Sequence, residues 1–149
     1  MPGWLYQVKN GATTIWERWD AIKEDGLPFD PAMNSYNHYA YGAVCQWLFE
    51  AVAGFRPDAA APGFKNIVFE PTIIPALSPV KAHHDSAAGR IEAGWTVAGN
   101  KVTYEITVPE GSTGTLALSP RYADVSLDGK PLAGTKIGSG KHVVTFSIN

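Results

Sequence analysis

Residues 90–108 read RIEAGWTVAGNKVTYEITV. Two runs of alternating apolar and polar side chains flank a Gly99-Asn100 turn, which is the pattern of a β-hairpin with one buried face. Ile91, Ala93 and Trp95 fall on the same face of the first run. We therefore expect Trp95 to lie in a core, where its ring is not available to stack on a sugar.

Further strands are expected on both sides of this hairpin. The candidate runs are residues 67–69, 80–86, 115–118, 123–127 and 142–148, and an Asp128-Gly129 pair marks a second hairpin turn. Short strands separated by regular turns are typical of sandwich folds. The second part of the chain is predicted to be an antiparallel β-sandwich of seven or eight strands.

The first part of the chain has a helical pattern instead. Apolar residues recur at the spacing of one helical face from Tyr36 to Val52, with Asn34 or Ser35 able to cap the start and Gly54 the end. Residues 4–8 and 15–19 are expected to be helical in part. The helical face also includes Cys45, which we expect to be a small buried side chain.

Between these parts, residues 54–63 are rich in proline, glycine and alanine, which indicates a linker. The predicted fold class is α+β. The predicted domains are a helical region at residues 1–55, a linker at 56–65 and a C-terminal β-sandwich at 66–149.

Composition excludes several partner classes. The 149 residues carry a formal net charge of −2 and no basic run, so no nucleic-acid footprint is present. No apolar run approaches the ~18 residues that would span a bilayer, so we expect a soluble chain with no membrane partner. Cys45 is the only cysteine and cannot form an internal disulfide. A single cysteine does not indicate the cellular compartment of the protein.

The candidate chemistry is concentrated near the N-terminus. Glu17 and Asp20 are flanked by tryptophans, and His38 follows among tyrosines, a mixture that suits sugar recognition. A solvated acidic face beside Arg18 is the alternative for the two carboxylates. A glycosidase needs carboxyl groups on opposite sides of the scissile bond, and neighbours on one helical turn cannot flank a sugar ring. A catalytic Glu17 therefore needs a partner that this chain does not offer, and the site is expected to be incomplete.

Other chemistries find less support in the sequence. His38 is isolated, and His83 and His84 are adjacent on a predicted strand, so they point to opposite faces, with surface or edge positions. We predict no metal site and no cofactor. No Gly-x-Ser-x-Gly nucleophile motif occurs.

Two motifs carry a family resemblance. GATTIWERWD (residues 11–20) and NSYNHYAYGAV (residues 34–44) resemble the C-terminal end of bacterial α-L-rhamnosidases, glycoside hydrolase family 78. PGWLY (residues 2–6), PGFK (62–65) and GRIEAGW (89–95) are similar to further elements of that family. The resemblance covers nearly the whole chain and is most specific through Phe64.

The resemblance implies a fold and site roles. It implies that residues before about Phe55 are closing helices of an (α/α)6 barrel, followed by the β-sandwich. Glu17 is similar to the general base that activates water and inverts the anomeric carbon, while the general acid belongs to an upstream motif. His38 is similar to a residue that touches rhamnose. Trp4 and Trp16 are candidates for apolar cover of the sugar methyl group, and core packing remains the alternative for both.

The implied partners are rhamnose-containing glycosides and the missing N-terminal part of the same polypeptide. Helices cut from a barrel keep apolar faces that their neighbours once covered, so we expect self-association through residues 1–55. The isolated chain is expected to lack turnover. The alternative function is a non-catalytic β-sandwich module for carbohydrate binding or structural support.

Overall fold

The computed structural model describes residues 3–148. Met1, Pro2 and Asn149 lie outside the described residues, and with them the first position of the PGWLY motif. The chain divides into two compact units, residues 1–46 and 47–149, named here the N-terminal unit and the C-terminal unit. The predicted domain boundaries at residues 55 and 66 stay a prediction.

The helices are short and cluster early in the chain. They are α1 (Trp4–Lys9), α2 (Tyr39–Gly42), α3 (Val44–Trp47) and a π-helix (Leu48–Ala53) that follows α3 directly, with 3₁₀ turns at Pro31–Met33 and Pro75–Leu77. The helix expected over residues 4–8 is confirmed by α1. No helix among residues 3–148 is long and apolar enough to cross a membrane.

The single long helix predicted from Tyr36 to Val52 is wrong in two respects. It starts later, because His38 and not Asn34 or Ser35 is the N-cap of α2 and accepts from the Ala40 N–H. It also changes geometry along its length: the Ala43 N–H bonds three residues back to Ala40, and the Gly54 N–H bonds five residues back to Phe49. Gly54 ends the helix in the left-handed region at φ +79°, as predicted.

Two further expectations for the N-terminal half are wrong. Residues 15–19 are not helical, because the backbone of this segment is hydrogen-bonded to residues 35–38 and not to its own next turn. Cys45 is exposed and not buried, because the described residues leave its face of the helix uncovered.

The C-terminal unit is built from ten described strands. They are β1 (Phe55–Pro57), β2 (Asn66–Phe69), β3 (Val80–Ser86), β4 (Gly89–Ala98), β5 (Lys101–Val108), β6 (Thr113–Leu116), β7 (Ala123–Leu127), β8 (Lys130–Pro131), β9 (Lys136–Ile137) and β10 (Gly140–Ser147). One sheet has the order β1-β2-β6-β9 and the other β3-β4-β5-β10-β7-β8. The predicted β4–β5 hairpin is confirmed, with Trp95 opposite Tyr104.

The sandwich departs from the prediction in strand number and direction. Nine of the ten described strands, β2 to β10, lie within residues 66–149, where seven or eight were expected, because short edge strands such as β8 and β9 carry too little alternation to be seen in sequence. The sheets are not wholly antiparallel, since β2 and β6 pair in parallel. A parallel pair needs a long crossover, and residues 70–112 supply it through the other sheet.

Part of the segment predicted as a linker belongs to a sheet. Strand β1 pairs with β2, with Arg56 opposite Val68, and the Asp58 N–H donates to the Asn66 carbonyl at 3.1 Å. The proline and glycine content that indicated a linker instead forms tight turns between these two strands.

The core of the C-terminal unit lies between its two sheets. The largest fully buried side chains include Trp95, Tyr104, Phe69, Ile67 and Ile91, drawn from both sheets. The prediction that Trp95 is a core residue is confirmed. His83 and His84 are exposed on the edge strand β3, as predicted.

The backbone carbonyls at the end of the π-helix accept hydrogen bonds from side chains of the sandwich. The last carbonyls of a helix have no partner within the helix and need one elsewhere. The Val52 carbonyl accepts from Trp95 Nε1 at 2.7 Å, and the Ala53 and Gly54 carbonyls lie 3.1 and 2.9 Å from the Tyr104 hydroxyl. Burial raises the pKa of Tyr104 above its ordinary value, which keeps the hydroxyl protonated as a donor.

Backbone groups of the segment after β2 complete this arrangement. The Thr72 N–H donates to the Ala51 carbonyl and the Glu70 N–H to the Gly54 carbonyl, each at 2.8 Å. Gly54 must be glycine for two reasons: its φ is positive, and a Cβ would lie 2.3 Å from Pro71 Cα. The helix end is therefore held by both main-chain and side-chain donors of the sandwich.

We predict that Gly54→Ala lowers the free energy of unfolding by about 2–5 kcal/mol, from the left-handed backbone and the clash with Pro71. Urea unfolding followed by far-UV circular dichroism measures the change. Gly111→Ala is the matched control, because Gly111 has φ +80° and open space at its Cβ. The control should lose only about 1–2 kcal/mol, and an equal loss in both variants would contradict the role of the Pro71 contact.

We predict that Tyr104→Phe lowers the free energy of unfolding by about 1–3 kcal/mol, because the Ala53 carbonyl loses its donor while the ring still fills the core. The same urea titration measures it. Tyr39→Phe is the control, since Tyr39 is exposed and should change stability little. Stability of Tyr104→Phe equal to the unchanged chain would show that the hydroxyl does not hold the helix end.

Candidate active site

Two backbone segments of the N-terminal unit run side by side and position the candidate site. The Glu17 N–H donates to the Ser35 carbonyl at 2.8 Å, and the His38 N–H donates to the Ile15 carbonyl at 2.8 Å. The Thr14 hydroxyl adds a hydrogen bond to the Tyr36 carbonyl. These contacts link the two motifs that carry the family resemblance, so Glu17 and His38 come together although 20 residues separate them in sequence.

The Glu17 carboxylate is held by one oxygen. Its Oε2 atom accepts from the Ser35 N–H at 2.8 Å, so Ser35 bonds Glu17 through both its N–H and its carbonyl. The Oε1 atom lies 3.9 Å from His38 Nε2, which is longer than a hydrogen bond. The Glu17 side chain is 23% exposed and that of His38 is 35% exposed, so solvent reaches both groups.

The tautomer of His38 follows from its position at the start of α2. Its Nδ1 atom accepts from the Ala40 N–H at 3.4 Å, the arrangement of a helix N-cap. A neutral imidazole that accepts at Nδ1 carries its proton on Nε2. The Nε2–H group is therefore a donor on the side of the ring that faces Glu17.

Trp16 lies in the interior of the N-terminal unit. The residue is 3% exposed, its ring packs edge-on against Tyr36, and its backbone N–H donates to Gln7 Oε1 at 3.0 Å. The expectation that its ring covers a sugar directly is at odds with this burial, because almost no ring surface is open. Trp16 instead anchors the backbone next to Glu17.

Trp4 belongs to a cluster of aromatic rings. Its ring lies edge-on to Trp19 at 4.6 Å and to Tyr41 at 5.7 Å, and those two rings stack on each other. Trp4 keeps open surface and is classed among the exposed large hydrophobic residues. No hydrogen bond or ring contact within residues 3–148 joins Trp4 to Glu17 or His38.

The second acid of the motif is committed to another contact. Asp20 pairs with Arg18, whose Nε lies 3.2 Å from Asp20 Oδ1, and the Arg18 guanidinium lies over the Phe29 ring. Glu17 and Asp20 do not share a helical face, because the segment is not helical. Asp20 is therefore not a free carboxylate beside Glu17. The alternative of a solvated acidic face beside Arg18 stays a prediction.

Sequence reasoning missed Gln7 and Ser35. Gln7 is buried, its Nε2 has no hydrogen-bond partner among the described residues, and its Oε1 holds Trp16. Ser35 acts through its main chain, which leaves no signal in side-chain chemistry. No group of three or more His, Cys, Asp or Glu side chains in the described part of the chain is placed to hold a metal ion.

Comparison with known proteins shows matches to two successive domain models of one family. A family model described as the bacterial alpha-L-rhamnosidase 6 hairpin glycosidase domain matches residues 1–52. A second, the bacterial alpha-L-rhamnosidase C-terminal domain, matches residues 54–130. Both models describe domains of bacterial alpha-L-rhamnosidases, and they match consecutive parts of this chain.

Two curated relatives are alpha-L-rhamnosidases. The chain is 38% identical to the alpha-L-rhamnosidase of Alteromonas sp. (strain LOR) over 110 residues, which is 72% of this chain and 12% of that protein. It is 38% identical to the alpha-L-rhamnosidase of Formosa agariphila over 114 residues, 75% of this chain and 12% of that protein. The chain therefore spans about an eighth of the length of these curated relatives.

A solved structure supports the same relationship. The Streptomyces avermitilis alpha-L-rhamnosidase, crystallised in complex with L-rhamnose, matches with a TM-score of 0.77 and 31% identity, covering 97% of this chain and 15% of that one. The resemblance identified in the sequence is confirmed: the chain belongs to the bacterial alpha-L-rhamnosidase family. Its place in glycoside hydrolase family 78 stays a prediction.

Proposed function

We propose that this chain is the C-terminal part of an inverting α-L-rhamnosidase that hydrolyses terminal α-L-rhamnosyl linkages, with Glu17 as the general base. The observation that carries this proposal is the asymmetric setting of the Glu17 carboxylate. One oxygen is bound by the Ser35 N–H, and the other faces His38 without a hydrogen bond. The substrates are rhamnose-containing glycosides.

A general base must accept a proton from water through an oxygen at ~2.6–3.2 Å. Oε1 of Glu17 meets this need, because no hydrogen bond within the described residues engages it, His38 Nε2 is 3.9 Å away, and the side chain is partly open to solvent. The Ser35 N–H fixes the orientation of the carboxylate. A water on Oε1 would then have a defined position toward the anomeric carbon.

His38 is the proposed contact to the sugar. Its Nε2–H donor lies near the same carboxylate oxygen, so a sugar hydroxyl between the two side chains would both receive a hydrogen bond and donate one. Trp4, with its open ring surface, remains a candidate for covering the rhamnose methyl group. Trp16, being buried, supports the site through its own backbone, which directly precedes Glu17 and is bonded to Gln7.

The general acid is assigned to a part of the polypeptide outside these 149 residues. An inverting pair needs carboxyl groups ~6.5–9.5 Å apart on opposite sides of the bond. Of the acids that follow Glu17 in sequence, Asp20 pairs with Arg18, Asp25 pairs with Lys23 and Asp30 caps a 3₁₀ turn, while Glu24 is exposed and no described contact joins it to Glu17. The helices of residues 1–55 would close an (α/α)6 barrel, an arrangement that the match to a six-hairpin glycosidase model supports.

We predict that the 149-residue chain alone releases no p-nitrophenol from the aryl α-L-rhamnoside, because the acid is missing. In a full-length polypeptide that carries these residues, Glu17→Gln should lower kcat by about 10²–10⁴-fold. Steady-state release of p-nitrophenol measures both. Clear turnover by the 149-residue chain, abolished by Glu17→Gln, would overturn the assignment of the acid.

The matched control is Glu24→Gln, the same change at an exposed glutamate of the N-terminal unit. It should leave kcat within about twofold, as expected for a surface substitution away from the site. A loss in this variant equal to that of Glu17→Gln would show that the effect is not specific to Glu17.

A second candidate function is structural support by the sandwich. The contacts of Trp95 and Tyr104 to the helix-end carbonyls favour it. The sequence also allowed a carbohydrate-binding sandwich. Trp95 cannot serve that function, because it is buried and has no open ring surface for a sugar. The Tyr104→Phe measurement described above tests the supporting role.

The apolar surface of residues 1–55 supports self-association of the isolated chain. On α1, Leu5 is 71% exposed and Val8 is 68% exposed, and they stand three residues apart on one helical face. Tyr39 and Met33 are also exposed. Apolar side chains left open in this way favour association, either with the rest of the polypeptide or with a second copy.

We predict that sedimentation velocity of the isolated chain shows a weight-average mass that rises with concentration. Leu5→Lys together with Val8→Lys should shift the distribution toward monomer, because charges replace the α1 face. Leu77→Lys, an exposed apolar position in the C-terminal unit, is the control and should leave association unchanged. A monomer at all concentrations would contradict the prediction.

A further inference from the structure

The outer face of the six-stranded sheet holds a concave surface that the proposed hydrolysis does not use. It occupies about 480 Å³ above strands β3, β4, β5 and β10. The side chains that alternate with the buried positions of β4 and β5 point to this face, since Ile91, Ala93 and Trp95 point inward. Every residue that lines it belongs to the C-terminal unit.

The concavity has a structural origin at Gly94. Gly94 lies opposite Lys81 on β3 and Glu105 on β5, so the middle of this row has no side chain. A Cβ at this position would lie 2.7 Å from the Val80 carbonyl oxygen. The close approach of β3 therefore excludes a side chain and leaves a gap between flanking charged groups.

Carboxylates lie at the centre of the surface and ammonium groups lie on either side of them. Glu92 and Glu105 stand on the two central strands, while Lys81 and Lys141 stand on the strands to either side. In the neighbouring row His83 faces Glu92, and Thr107 donates to Glu92 Oε2 at 2.8 Å. The two carboxylates and two ammonium groups balance in charge.

The charged groups of this surface are largely uncommitted. Within residues 3–148, no hydrogen bond or ion pair engages the side chains of Glu105, Lys81 or Lys141, and Glu92 uses one oxygen only. Balanced charge disfavours an anion or a cation as ligand, and the lining contains no Trp, Tyr or Phe ring; its aromatic rings are the imidazoles of His83 and His142, and the latter is bonded to Asp128. A neutral polyhydroxylated molecule suits it, because each hydroxyl both donates to a carboxylate and accepts from an ammonium group.

We propose that this outer face binds a neutral saccharide through Glu92, Glu105, Lys81 and Lys141, as a second sugar site apart from Glu17. This inference rests on the proposed function in one respect: the choice of a saccharide as the ligand. Binding should be weak, because no Trp, Tyr or Phe ring adds stacking to the hydrogen bonds. Such a site would retain a glycan chain near the enzyme without discriminating sharply among sugars.

The test is a ¹H–¹⁵N correlation titration of the 149-residue chain with methyl α-L-rhamnopyranoside. The expected result is saturable shifts in amides of β4, β5 and β10. Glu105→Gln should weaken binding about tenfold, as should Lys141→Gln, which provides a second readout on an exposed residue. Glu110→Gln and Lys101→Gln, exposed positions outside the concavity, are the matched controls and should leave the titration unchanged.

The titrations of the unchanged chain and of the outer-face and control variants can give three results that would overturn the inference. The first is a titration that does not saturate, and the second is an equal loss in the control variants. The third is saturation by D-glucuronate, an anion, with none by the neutral glycoside. Glu17→Gln separates this inference from the proposed function: the variant should keep the shifts in β4 and β5. If Glu17→Gln abolishes them, the sugar binds at Glu17, and the outer face is not a site.

Discussion

The end of the π-helix on the β-sandwich is the constraint on which the C-terminal unit depends. Consecutive carbonyls at residues 51–54 receive hydrogen bonds from Thr72, Trp95, Tyr104 and Glu70. Buried carbonyls without partners are costly, so this end cannot shift without losing several bonds together. Trp95 and Tyr104 face each other across β4 and β5, and one cross-strand pair therefore fills the core and caps the helix.

The candidate active site is organised by main-chain groups. Ser35 holds Glu17 through its N–H and its carbonyl, and the first turn of α2 fixes the His38 ring through the Ala40 N–H. Main-chain donors are rigid, which suits the general-base role proposed for Glu17, because that role needs one carboxylate oxygen kept in a fixed orientation. Two neighbours of Glu17 in sequence have structural contacts here: Trp16, a candidate for covering the sugar, packs inside, and Asp20 pairs with Arg18.

The two faces of the six-stranded sheet show how one alternating pattern serves two purposes. On β4 and β5 the inward positions form the core, and the outward positions present carboxylates and hydroxyls to solvent. Gly94 breaks the outward row because β3 approaches too closely for a side chain. The same close packing that stabilises the strand pair thereby creates a concave polar surface.

The sequence by itself determined the two-part organisation, the β4–β5 hairpin, the inward position of Trp95 and the left-handed helix end at Gly54. These features depend on local alternation, turn residues and backbone freedom, which neighbours in the chain specify. Its family motifs also indicated Glu17 and His38. Only the tertiary structure decided the extended path of residues 15–19, the parallel pairing of β2 with β6, the exposure of Cys45 and the roles of Gln7 and Ser35. Each of these depends on backbone contacts between residues far apart in sequence or on which faces stay uncovered, and neither leaves a periodic signal in the order of side chains.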